Sequence, residues 1–181
     1  MSLVSGGILS ATDVAGATLA EVEAAIATVS GTADPLRRRA VGRWSPCENL
    51  DHLRLAVRPV SLALALPSFA LRIFGKPRVH RSYEQVVETY QQRLAEGAKA
   101  MAPFVPPRLA PDTDADRLKA GLRAAYATYA ARLLATRPEA LDSILLPHPI
   151  LGRLTLREMA FFTLYHVRHH HAAIRRDAGL E

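Results

Sequence analysis

The chain has 181 residues, enough for one domain with a substantial core, and 49% of them are hydrophobic against 22% charged; that balance excludes a disordered or low-complexity protein. A single cysteine, Cys47, excludes an internal disulfide and a cysteine-rich zinc site and suits a reducing compartment. The net charge of +6 is spread over scattered arginines with no aromatic-interleaved basic strand or helix-turn-helix pattern, so no nucleic-acid partner is expected.

In chain order, residues 1–10 read as a flexible arm without a signal-peptide pattern, and residues 11–181 as one helical domain. Val14, Leu19, Val22, Ile26 and Val29 recur at helical spacing over 12–30, and Gly31 stops the run. A second helix is announced by Ser45, Pro46 and Glu48, which form a capping box with proline at the first helical position. It should reach about residue 66, ended by Pro67 and kinked or split at Pro59. Trp44 is placed to staple the chain onto the bundle at this entry. The uncharged run 59–71 is too short and too proline-broken to span a membrane, so a core helix and a cytoplasmic protein are expected. The 59–74 stretch also offers an apolar surface for a homodimer. Residues 68–81 read as a loop or lid. Ser82 with Gln85 opens a third helix toward residue 101, and the proline-rich run 103–111 is loop. A strong 3.6-residue repeat carries a further helix from Asp112 or Asp114 to 136. The stretch 141–154 is a turn-rich lead-in, with no persuasive strand anywhere.

The last segment, L-T-L-R-E-M-A-F-F-T-L-Y-H-V-R-H-H-H-A-A-I-R-R, is a helix of about six turns opened by a Thr155/Glu158 capping box. Its apolar stripe holds Met159, Phe162, His166, His170, Ala173 and Ile174. Residues four apart face the same way, so His166 and His170 suit one metal ion, or else are two hydrogen-bonded core histidines. His169 and His171 belong to other faces and read as a solvated or rim-facing pair. Taken alone, His52 reads as a core histidine. No general base is evident. Glu48 and Glu158 are committed to caps, Asp51 points about 100° away from His52, and Tyr126 and Tyr165 read as packing residues. His148 could border a site mouth, and Cys47 reads as a small buried helix residue.

Three motifs, W-S-P-C-E-N-L-D-H-L, H-P-I-L-G-R-L-T-L-R-E and Y-H-V-R-H-H-H, together with the helix order over roughly 12–176, resemble the DinB/YfiT-like superfamily of metalloenzymes, in a branch known only as a domain of unknown function. The resemblance implies an all-α four-helix bundle with long crossover connections and one extra helix between core helices two and three. It implies a divalent metal (zinc, nickel, manganese or iron) held by His52, His166 and His170, with positions left open as in catalytic sites. The function it implies is a metal-dependent enzyme of thiol-dependent transferase or hydrolase type, acting on a small molecule with or without a low-molecular-weight thiol. The alternatives are a metal-binding bundle without catalysis and a basic interaction protein without metal.

Overall fold

The computed structural model describes residues 9–75, 77 and 80–180. Most of the arm expected at 1–10 lies outside the described residues. Its last residue, Ser10, caps the first helix. Four long helices form the bundle: α1 (Ala11–Ser30), α2 (Pro46–Leu64), α5 (Ala115–Ala135) and α7 (Leu156–Asp177). Between α2 and α5 lie the short α3 (Ser68–Leu71), a 3-10 turn (Arg72–Phe74) and α4 (Tyr83–Ala95). Between α5 and α7 lie α6 (Pro138–Ser143) and a hairpin of β1 (Leu145–His148) and β2 (Gly152–Thr155). This is the all-α bundle with an extra helix after the second core helix.

Each of α1 and α2 packs along both α5 and α7, while α1 and α2 meet only weakly. The bundle therefore runs α1, α5, α2, α7 around its perimeter, and the connections α1 to α2 and α5 to α7 cross it. The core between them holds Val22, Leu50, Leu53, Leu122, Tyr126, Leu133, Leu164 and Ile174, all under 2% exposed. Burying one such Leu or Ile stabilises by roughly 1.5–3 kcal/mol.

Four of the helices begin at complete capping boxes: Ser10/Asp13, Ser45/Glu48, Ser82/Gln85 and Thr155/Glu158. Two of the carboxylates do more than cap. Glu48 accepts from the Ser45 amide at 2.8 Å, from Arg38 Nε at 2.6 Å and from the Leu109 amide at 3.3 Å. Glu158 accepts from the Thr155 amide at 2.9 Å and from the Arg81 amide at 2.8 Å. Each helix start thus anchors a long connection as well as its own first turn.

Three expectations change. Helix α2 runs through Pro59 without a break; the sharp bend, 115°, comes after Leu64, at Pro67. Pro67 disfavours helical backbone at Leu66, and α3 leaves in a new direction. Helix α4 ends at Ala95 rather than near 101, because Gly97 takes φ 94°. Ala98 N then bonds Arg93 O and Gly97 N bonds Leu94 O, a Schellman stop. The lead-in to α7 contains two paired strands, with Leu145 opposite Thr155 and His148 opposite Gly152. Strands of four residues, one holding Pro147, leave too little alternation to read from sequence. No single helix among the described residues is long and apolar enough to cross a membrane.

Candidate metal centre

His52 lies in the second turn of α2, and His166 and His170 lie one turn apart on α7. All three are buried, at 4%, 6% and 8% exposure. Packing α2 against α7 brings one ligand atom from each within 4.8 Å of the others. His166 Nε2 stands 3.1 Å from His52 Nε2 and 3.1 Å from His170 Nε2.

The opposite edges of two rings are fixed. His52 Nδ1–H donates to Phe104 O at 2.6 Å, and His170 Nδ1–H donates to Asn49 Oδ1 at 2.7 Å. Asn49 is itself oriented, because its Nδ2 donates to Ser45 O at 3.0 Å. With the proton held at Nδ1, each Nε2 presents a lone pair toward His166. This is the outer-shell pattern that orients imidazole ligands on metals. His166 Nε2 can donate a proton to only one of its two neighbours, so hydrogen bonding alone leaves a nitrogen pair unsatisfied. Two nitrogens on a common ion at about 2.1 Å stand roughly 3.0 Å apart at a right angle and roughly 3.4 Å apart at the tetrahedral angle. The two 3.1 Å separations fall in that interval.

Burial pushes all three imidazoles below their usual pKa. Burial is the largest cause at His166 and His170, which lie well below it, and the neighbouring histidines add to it. At His52 burial also leads, partly offset by the Phe104 carbonyl. The donor set is therefore neutral and lone-pair-bearing near pH 7, the state a divalent cation requires.

Trp44 covers one side. Its ring centroid is 4.7 Å from that of His52 and 5.9 Å from that of His170, nearly parallel to the latter. The expected staple residue is thus a wall of the centre. Trp44 and the three imidazoles also line a cavity of about 460 Å3, which His148, His169 and Tyr90 reach among its polar edges. No Asp, Glu, Lys or Arg lines it among the described residues.

The chain matches the family model of the DinB superfamily over residues 16–174. The chain belongs to the DinB superfamily. No curated protein and no solved structure matches it significantly. The match spans all four bundle helices, so the DinB-superfamily assignment covers every element that supplies an imidazole.

The remaining candidates separate cleanly. Asp51 bonds Arg54 at 2.6 Å, away from the centre. Cys47 is fully buried, and burial pushes its thiol up to about 11. Tyr126 is in the core, and Tyr165 bonds Gln91 at 3.0 Å. His169 does face the cavity rim, but His171 does not: it is buried against α1, bonded to Glu21 at 2.6 Å and Thr28 at 2.9 Å. Helix α7 buries more than one stripe because α1, α2 and α4 all pack on it. Sequence reasoning passed over Asn49 and the Phe104 carbonyl. Asn49 sits three residues before His52 on the same helix face, a signal that was available; nothing in the sequence marks a loop carbonyl.

Proposed function

We propose that His52, His166 and His170 hold one divalent cation and that the protein is a metal-dependent enzyme of hydrolase or thiol-dependent transferase type, acting on a small molecule in the adjoining cavity. The observation that carries this reading is the convergence of three neutral Nε2 atoms, two of them aimed by Phe104 O and Asn49 Oδ1. A bound cation supplies Lewis acidity, toward water, a carbonyl or a thiol. The chain's own residues bind and orient: three protein ligands leave positions open, and the cavity beside them gives a substrate a largely apolar wall. His169, Tyr90 and His148 are the polar side chains that line the cavity beside the three imidazoles, and no carboxylate does so among the described residues. That lack of a carboxylate also favours the second reading, a metal-binding bundle without turnover. A cytoplasmic location belongs to the proposal, supported by the lone buried thiol.

Elemental analysis of the purified protein tests it. One equivalent of zinc, nickel, manganese or iron per chain is expected, lost in H52A, H166A or H170A while the helical circular dichroism persists. Hydrolysis of an ester or amide panel without added thiol selects the hydrolase, turnover only with thiol selects the transferase, and stoichiometric metal with neither selects the second reading. Full metal retention in all three variants overturns the site.

A further inference from the structure

The cavity beside the imidazoles has a definite chemistry. On α2, His52, Ala56, Pro59 and Ala63 recur at steps of four, three and four, and all line it together with Val60. This stripe carries the wall from His52 to Ala63, eleven residues or roughly 16 Å along the helix axis. Leu71 and Phe74, which follow the bend at Pro67, and Leu94 from α4 line it as well. A volume of about 460 Å3 lies in the range of small-molecule sites. Leu62, Leu66 and Met101 line it while remaining 61%, 46% and 53% exposed, so its mouth is apolar too. In the metal-free protein, an ion placed along this wall, away from the three imidazoles, would lose its hydration with no opposite charge to replace it among the described residues.

One polar feature interrupts the wall. His148 ends β1, and its Nδ1 accepts from the amides of Ile150 at 3.2 Å and Leu151 at 3.0 Å. Two donors at Nδ1 fix the ring proton on Nε2. Nε2–H has no protein acceptor among the described residues, and the ring lines the cavity, standing edge-on to Phe162 at 4.3 Å between centroids. Phe162 in turn stacks on His166 at 5.0 Å. A neutral hydrogen-bond donor is thereby held one aromatic ring away from the candidate metal ligands.

We infer that the cavity takes an uncharged, elongated apolar molecule bearing a carbonyl oxygen, an acyl or aryl-ketone class of ligand, with its apolar body along the α2 stripe and its carbonyl accepting from His148 Nε2–H. His148 is then a substrate-positioning residue. The inference rests on the proposed function only in making this molecule the electrophilic partner; the selection for apolar, uncharged ligands stands on the cavity alone.

The test uses four probes of similar size on the metal-stripped 181-residue chain: butyrophenone, butylbenzene, 4-phenylbutyrate and 4-phenylbutylamine, measured by titration calorimetry at pH 7.5. Butyrophenone should bind at least about tenfold more tightly than either charged probe. His148→Asn keeps an oxygen to cap the Ile150 and Leu151 amides but removes the donor at the Nε2 position. It should weaken butyrophenone about three- to tenfold, to the level of butylbenzene, and leave butylbenzene unchanged. Equal or tighter binding of a charged probe, no binding of any probe, or an unchanged butyrophenone affinity in His148→Asn overturns the inference. Metal stoichiometry is read separately. A chain that binds metal but prefers charged probes sinks only this inference. One that selects butyrophenone but binds no metal sinks only the metal reading.

Discussion

Asn49 and His148 carry roles that their residue types permit but do not announce. Asn49 Oδ1 holds the proton of His170 at Nδ1 and so keeps Nε2 free. Asn49→Leu should keep the bundle and weaken metal affinity about 10- to 100-fold, read by competition with a chromophoric chelator. At His148 burial lowers the pKa to about 4 from the usual value near 6.5. Between those two values the unfolded chain binds a proton that the folded chain refuses. The contribution of His148 to stability is therefore complete above pH 6.5 and is lost as the pH falls through about 4. Urea midpoints of the wild type should drop between pH 7 and pH 4.5, and His148→Asn should flatten part of that slope.

Among the elements, the capping boxes do the most with the fewest atoms. Ser45→Ala removes one acceptor at the start of α2 and should cost about 1 kcal/mol. Glu48→Ala should cost more, about 3 kcal/mol, because it strands Arg38 and the Leu109 amide as well as the cap; Arg38 is one-third exposed, which keeps the cost at the low end. Burial acts to raise the Glu48 carboxyl, but Arg38 and the Ser45 and Leu109 amides outweigh it and hold the pKa below its usual range. That contribution is present above the ordinary carboxylate range and fades as the pH falls through the lowered value. Chemical denaturation of both variants at pH 7 checks the ranking. The two boxes at Ser45 and Thr155 open the two helices that carry the imidazoles, so their strength also sets where His52 and His166 begin their turns.

At the scale of the whole molecule, the bundle is held by apolar packing across α1, α2, α5 and α7. Leu122→Ala should lose about 2–5 kcal/mol by equilibrium unfolding, since its site on α5 is fully buried. The exposed Phe69, at 74%, and Ile73, at 79%, lie in the 59–74 stretch from which a homodimer is expected. Sedimentation over a hundredfold concentration range tests that proposal, and a constant monomer mass from the wild type rejects it.

Local rules reached far into this chain. Apolar spacing and three of the four capping boxes placed the helix starts within a few residues, and a separation of four put His166 and His170 on one face. Those properties depend on neighbours within a turn or two, where backbone geometry fixes direction. What local rules could not supply was everything set by packing: the pairing of β1 with β2, the burial of His171 on α1, Trp44 against the imidazoles, and His148 in the cavity wall. Even the arrival of His52 beside His166, from 114 positions away, was implied by family resemblance and not by spacing. Only the packing of α2 on α7 brings those rings together, because the direction of a side chain is local while its partner is chosen by how the whole core closes.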